Sequence, residues 1–381
     1  MHAPISPSGM GQTVYCAGSV MMQMQFPQDS TDASREGDAT HEVSCKVLTA
    51  YKDSEGSKIL PTDYVGDRDS AGTLITQEMA EGAEVYTSHI LERAQKLGAV
   101  RSMRVEQTVQ CPSIHPNACF GTPDHALWND KTGTLYIDDL KYGHGFVDEF
   151  ENWQNMTYAS GVLDELNING IDDQFITLEL SIIQPRYYHA SPVRTWKLKA
   201  SDLRGYVNTM QFQAQKALMP DAETRSGPHC RYCTARRACP AARQSAYWAM
   251  EVSGQAMPKD ITPAALGTEL DYLDRGIKAM KYMHSALLEQ AEVLVRDNVI
   301  VPGYAMQPVQ GFRKWKMDDS QVIQIGNAVE IELQEQKAIT PAQAEKKGVD
   351  KTFIKHQTER PSSMKFKRVK DNSIKKVFSN E

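Results

Sequence analysis

The chain reads as a mixed α/β protein: a central mixed sheet flanked by helices, followed by a helical and basic C-terminal extension. Three observations predict this. The segments run helix, three strands, helix, two strands, helix, an order that differs from a doubly wound βαβ repeat. The 381 residues are 41% apolar, enough to build a substantial core. Beyond Met257 the character changes to one long helical pattern and then a basic tail, so residues 1–250 and 251–381 are expected to form two regions.

Residues 1–30 read as irregular. "STDASREGDATHEVSCKVLTAYK" then offers capping residues ahead of a helix that aligns His41, Cys45 and Leu48 on one face. Residues 52–74 are rich in Gly, Ser, Asp and Pro and read as a loop. A second helix is expected over about 75–97. Three strand candidates follow, "SMRVEQTVQ", "FGTPDHALW" and "GTLYIDDLKYG". A helix over 149–166 leads to strands "FITLELSIIQ" and "VRTWKLKA", and a helix over 201–217 leads to "HCRYCTARRACP". The extension holds a helix from Pro263 to about Arg296, with Leu266, Leu270, Leu273, Ile277 and Met280 apolar, then an extended stretch "YAMQPVQGFRKWKM" and the tail.

No run approaches the roughly 18 apolar residues of a membrane helix, and the first residues lack the order of a secretion signal, so a cytoplasmic protein without membrane contact is expected. Seven cysteines in such a chain favour thiols or metal ligation over a disulfide framework. The net charge of −6 conceals an asymmetry. Residues 341–381 carry eleven Lys/Arg against five Asp/Glu, which makes the tail the basic element.

The stretch "GTPDHALWNDKTGTLYIDDLKYG" holds the most specific chemistry. Asp124 and Asp139 are equidistant from the turn "NDKTG", so an antiparallel hairpin sets them opposite each other with Cβ atoms about 5 Å apart. Side chains alternate along a strand, so Asp139 and Lys141 share a face while Asp138 points the other way. Two close carboxylates repel unless a cation lies between them, and a divalent ion such as Mg²⁺ meets that need. A bound ion activates water and polarises a phosphoryl group, while the Lys141 ammonium can stabilise developing charge. A surface salt bridge beside a turn is the bland alternative.

These residues resemble the PD-(D/E)xK nuclease superfamily, with Pro123-Asp124 as its first half and Asp139-Leu140-Lys141 as its second. Gln154 and Tyr158 match the Q-x3-Y element of the RecB-like branch, and His41 resembles that branch's upstream histidine. The resemblance spans residues 16–240 and implies a restriction-endonuclease-like core. It also implies Mg²⁺ or Mn²⁺ held by His41, Asp124, Asp139 and the Leu140 carbonyl, with Lys141 assisting attack and Gln154 and Tyr158 bearing on the site or on DNA.

Cys230, Cys233 and Cys239, spaced C-x2-C-x5-C, need a fourth ligand for either a zinc site or a four-cysteine cluster, and Cys16 is the candidate. AddB-like and CRISPR-adaptation nucleases, which this arrangement resembles, hold a [4Fe-4S] cluster in this way. Zinc stays open, since thiolates suit both metals. Cys45, Cys111 and Cys119 read as ordinary thiols. Arg231, Tyr232, Arg236 and Arg237, then Arg313, Lys314, Trp315 and Lys316, and the tail residues Lys365, Phe366, Lys367, Arg368 and Lys370, combine cations with aromatic rings as DNA-contacting surfaces do. The resemblance implies a deoxyribonuclease, expected to be an exonuclease acting on linear duplex or single strands. A phage recombination role beside a single-strand annealing protein, in a bacterial host's cytoplasm, is the analogy it carries. An endonuclease, an RNA-processing nuclease and a non-catalytic DNA-binding protein are its rivals.

Overall fold

The strand order and the helices flanking it follow from which faces of the strands are apolar. The computed structural model describes residues 3–26, 32–54, 57–168, 171–187, 191–254, 260–310, 314–317, 319–333, 340–359 and 362–368. The chain divides into two units, 1–284 and 285–381. In the first, helices α1 (Met10–Tyr15), α2 (Ser19–Gln23), α3 (Asp32–Asp53) and α4 (Gln77–Lys96) precede short strands β1 (Arg104–Val105), β2 (Val109–Gln110) and β3 (Phe120–Gly121). The hairpin β4 (His125–Asn129) and β5 (Thr134–Leu140) leads to α5 (Trp153–Glu165), β6 (Thr177–Ile183), β7 (Val193–Lys199), α6 (Ala200–Ala217) and α7 (Pro240–Ser253).

The main sheet has the order β1-β4-β5-β6-β7. Only β5 and β6 run parallel; every other neighbouring pair is antiparallel. As the central strand, β5 is buried at every position. One face, with Ala126, Leu135, Ile137 and Leu180, packs on Met156 and Ala159 of α5 and Leu203 of α6. The other, with Leu127, Tyr136 and Leu140, packs on Leu48 of α3 and Tyr86 and Ile90 of α4. The hairpin closes at Gly133, whose φ of +59° is a left-handed conformation that glycine adopts without steric cost.

Several expectations need correction. The N-terminal segment is helical at α1 and α2 rather than irregular, with Ser6 accepting from the Gly9 amide at 3.1 Å ahead of α1. The strand expected over 102–110 is broken into β1 and β2, because Glu106 adopts φ +47° and turns the chain between them. The strand expected over 120–128 breaks at Pro123, which has no amide to donate to a ladder, so β3 pairs with β2 and β4 starts at His125. Helix α5 starts at Trp153 rather than 149, since Asn152 accepts from the Asn155 amide at 3.1 Å and caps it. The first unit also extends past residue 250. There α8 (Pro263–Arg296) begins, and buried Arg236 donates to the Tyr282 carbonyl at 3.2 Å.

In the second unit, β8 (Tyr304–Gln310), β9 (Lys314–Trp315), α9 (Asp319–Ala328), α10 (Pro341–Lys346), α11 (Lys351–Gln357), β10 (Thr358–Glu359) and β11 (Ser362–Arg368) follow one another. Part of the basic tail, read from sequence without any assigned element, pairs as β11 along β8, from Ser362↔Gln310 to Arg368↔Tyr304. Val322, Leu333, Ala344, Val349 and Ile354 form its core.

On the α4 side of β5 lies a buried charge cluster. Asp138 accepts from the Arg93 guanidinium and lies 2.8 Å from His125 Nδ1, while Arg93 stacks 4.5 Å over the Tyr136 ring. Burial alone would raise the Asp138 carboxyl, but Arg93 and His125 hold it well below the usual carboxylate range. Burial lowers His125. Both shifts have the same sign for stability. A depressed carboxyl contributes stability that is present above about pH 4 and lost as pH falls through its folded value. A depressed histidine resists the proton that the unfolded chain takes up below about pH 6.5. Asp138→Asn, which leaves Arg93 facing a neutral amide in the interior, is expected to cost about 3–5 kcal/mol by urea denaturation at pH 7. The difference from the parent is expected to persist to about pH 4 and to narrow only below it.

Candidate active site

Strand register brings three carboxylates into one row at the end of the sheet. His125 pairs with Asp138 across β4 and β5, so the next residues out, Asp124 and Asp139, face each other as the turn symmetry predicts. On the other side, Val105 pairs with His125 across β1 and β4, so Glu106 comes next to Asp124. The Glu106 amide donates to the Asp124 carbonyl at 3.2 Å. Glu106, Asp124 and Asp139 thus lie on adjacent chains, with Asp124 in the middle.

Two of the three carboxylates are each met by a cation. His41, on α3, holds Asp124: its Nδ1 lies 3.4 Å from Asp124 Oδ1 and its Nε2 donates to the Leu140 carbonyl at 3.0 Å. The Leu140 amide donates to Asp124 Oδ2 at 2.7 Å. Lys141 Nζ lies 2.7 Å from Asp139 Oδ2. Gln154 closes the ring, donating through Nε2 to Asp139 Oδ1 at 2.8 Å and accepting from Lys141 Nζ through Oε1 at 3.1 Å.

The protonation pattern follows from burial set against these partners. Burial pulls the His41 imidazole down, but the Asp124 carboxylate outweighs it and pushes it up to about 9. Burial would raise Asp124, yet His41 and Lys141 hold it below its ordinary value. Asp139 is raised to about 6, chiefly by burial, with Lys141 opposing and Asp124 reinforcing the rise. Burial opposes the Lys141 charge, but Asp139 and Asp124 raise it, so the amine stays an ammonium.

The residues expected at the site are thereby brought together, with one addition and one reassignment. One ligand atom each from His41, Glu106 and Asp124 lie within 4.8 Å of one another, the spacing a metal ion needs. Glu106 was missed because an acidic residue in an alternating strand reads as a solvent-facing position. Its register beside Asp124 was the available signal. Asp139 is instead engaged by Lys141 and Gln154. Tyr158, one turn along α5 from Gln154, is buried in the core, and burial with the charges of Asp139 and Asp124 pushes its hydroxyl up while a hydrogen bond ties it to Gln154. Gln184 was also missed. Fully buried, it donates to the carbonyls of Gly143 and Gly145 at 2.9 and 2.7 Å and so pins the loop that follows Lys141.

Cys16, Cys230, Cys233 and Cys239 are all buried and unpaired by disulfides. Burial, together with the nearby Cys230, Cys239 and Cys16, pushes the Cys233 thiol up to about 11. Backbone amides aim at two of the sulfurs, Arg225 N–H at Cys16 Sγ (3.2 Å) and Gly227 N–H at Cys230 Sγ (3.4 Å). The approach of the N-terminal segment is close: a Cβ on Gly18 would stand 2.5 Å from the Ala222 carbonyl oxygen. Cys111 and Cys119 are core thiols, as expected.

The nucleic-acid contacts expected from sequence divide. Arg231 lies 5.1 Å over the exposed Tyr232 ring, and Arg237 lies 5.0 Å over Phe26. Arg236 is buried and donates to the Cys233 carbonyl at 2.8 Å, so it holds the cysteine loop together instead of facing phosphate. Trp315 packs against the second unit's core rather than standing out as a stacking surface. Lys314 lies in β9 opposite Glu359, and the Lys316 amide donates to the Gln357 carbonyl at 2.8 Å. Lys365, Phe366, Lys367 and Arg368 lie in β11, while Arg313 and Lys370 lie outside the described residues. Among the described residues no helix is long and apolar enough to cross a membrane.

Fold and site together define a mixed α/β chain with a histidine, carboxylate and lysine centre at the end of its sheet. The chain belongs to the family described as protein of unknown function (DUF2800), whose sequence profile matches residues 2–375. No curated protein matches it.

Proposed function

We propose that this protein is a metal-dependent deoxyribonuclease of the RecB-like PD-(D/E)xK type, acting as an exonuclease at DNA ends. The observation that carries the reading is Lys141 set 2.7 Å from Asp139 beside the row Glu106–Asp124–Asp139, with His41 closing it. Three carboxylates and an imidazole form a hard oxygen-rich site of the kind Mg²⁺ or Mn²⁺ takes, with His41, Glu106 and Asp124 as its ligands and Asp139 and the Leu140 carbonyl at its edge. Such an ion supplies a water of lowered pKa and polarises a phosphoryl oxygen. Lys141, kept charged by Asp139, offers an ammonium to the developing charge on phosphorus oxygens. Gln154 fixes where both Asp139 and Lys141 point. Protonated His41 bridges Asp124 and the Leu140 carbonyl, so a metal ion and a proton would compete for the same oxygens.

A [4Fe-4S] cluster on Cys16, Cys230, Cys233 and Cys239 belongs to the same reading. Amides directed at thiolate sulfur are part of how such clusters are tuned, while zinc stays the alternative for four thiolates. Single strands released at a duplex end would suit a single-strand annealing partner.

Purified chain is expected to degrade end-labelled linear duplex in Mg²⁺ or Mn²⁺ and to spare covalently closed circles. Asp139→Asn and Lys141→Ala should each slow this at least about 100-fold with the fold intact by circular dichroism. Tight DNA binding without cleavage would support the non-catalytic rival, cutting of closed circles an endonuclease, and preference for RNA the RNA-processing reading. By calorimetry, His41→Ala, Asp124→Asn and Glu106→Gln are expected to weaken Mn²⁺ binding about tenfold or more each. Anaerobically purified protein should carry about four irons per chain, and Cys233→Ser should lose them. A stoichiometric zinc and no iron would instead assign the cysteines to zinc.

A further inference from the structure

Helix α8 runs unbroken from Pro263 to Arg296 and carries two apolar stripes with different fates. One, through Gly276, Ala279 and Ala286, is buried. A Cβ on Gly276 would stand 2.0 Å from that of Ala249, so α7 crosses α8 there with no room for side chains. The other stripe is exposed to solvent except at half-buried Leu273. Leu266, Leu273, Met280, Leu287 and Leu294 recur every seven residues, and Leu270 and Ile277 fall four residues after the first two of them. In heptad terms every d position is Leu or Met over a run of 28 residues, about 42 Å of helix. Yet Leu270 is 57% exposed, Leu287 55% and Ile277 45%. A strict seven-residue apolar repeat left open to water is the seam of a coiled coil that lacks its second strand.

We infer that α8 pairs with α8 of a second copy of this chain as an antiparallel two-stranded coiled coil. The charges beside the seam select that partner and direction. In a parallel pair, g positions of one helix face e positions of the next heptad of the other, which sets Glu269 against Asp274, a like-charge contact made twice. In an antiparallel pair, e faces e. When Ile277 of each copy packs on Met280 of the other, Leu270 meets Leu287, and Asp274 faces Lys281 of the partner subunit on both sides. Sliding by one heptad in either direction sets Asp274 against Asp274 or Lys281 against Lys281. One register and one direction therefore satisfy the charges and pair Leu270, Ile277, Met280 and Leu287 across the seam, with His284 and Ala291 opposite Leu273 and Leu266. In the single chain Asp274 pairs with Lys278, 3.0 Å away on its own surface, where the pair is worth little.

The test is sedimentation equilibrium of the full chain across the micromolar range, with circular dichroism confirming helix content in every variant. The parent is expected to be a dimer and Ile277→Asp a monomer of unchanged helicity. The charge variants read the direction. Asp274→Lys sets Lys against Lys281 in the antiparallel pair and should raise the dissociation constant about three- to tenfold, and Asp274→Lys combined with Lys281→Asp should restore it. In a parallel pair Asp274→Lys would relieve the clash with Glu269 and tighten association. A monomeric parent, an Ile277→Asp chain that still dimerises, or tightening by Asp274→Lys would each overturn the inference. None of these residues lies in the proposed nuclease site, so the outcome does not depend on whether the chain cleaves DNA.

Discussion

Like charges crowded at the end of a buried sheet are the constraint on which the rest of this structure depends. Asp124 has a carboxylate neighbour on each side, Glu106 through β1 and Asp139 through β5. Left alone, such a row would protonate or unfold the strand ends. It persists because two cations and one backbone amide arrive to meet it. His41 comes from α3, Lys141 from the residue just past β5, and the Leu140 amide from the strand itself. Removing any one leaves a buried charge without its counterpart, so the site is coupled to the packing of α3 and α5 on opposite faces of one strand.

Alternation on β5 separates two uses of aspartate. Asp138 and Asp139 are adjacent in sequence and both buried, but their side chains enter different chemistry. Asp138 meets Arg93 and His125 away from the carboxylate row, and burial there is a matter of stability. Asp139 meets Lys141 and Gln154 at the sheet's end, next to the carboxylate row, and burial there keeps its proton affinity high. Period 2 alone decides which aspartate anchors the fold and which borders the site.

The sequence made the hairpin legible because a symmetric turn fixes register. Once "NDKTG" is the turn, the pairing of Asp124 with Asp139 follows from counting. The face shared by Asp139 and Lys141 follows from alternation. Gln154 was legible only as half of a spaced pair, whose other member, Tyr158, is buried and hydrogen-bonded to it. Glu106 was not legible because its position depends on a left-handed residue that breaks a strand reading as continuous. Arg236 and Trp315 were misplaced for a related reason: cation and aromatic content says nothing of burial, and both are drawn inward, by carbonyls in one case and by an apolar cluster in the other. The β11 ladder was hidden because Lys-rich composition masks a strand whose partner lies about sixty residues earlier.

The cysteines and the carboxylate row are linked mechanically even though they share no atom. Cys16 caps the C-terminus of α1, whose last residue, Tyr15, stacks on His229 of the cysteine loop with ring centroids 6.0 Å apart. The same Tyr15 meets Trp153 edge-on at 6.2 Å, and a Cβ on Gly11 would stand 3.5 Å from the Trp153 ring. Trp153 is the first residue of α5, and the next is Gln154, which holds Asp139 and Lys141. A group that fixes Cys16 to the 230–239 loop therefore fixes α1, which braces the first turn of α5, which sets the glutamine. A staple closing more than 200 residues of chain removes loop entropy from the unfolded state, but its local consequence matters more here. Such a group would brace the helical turn on which the geometry around Asp139 depends.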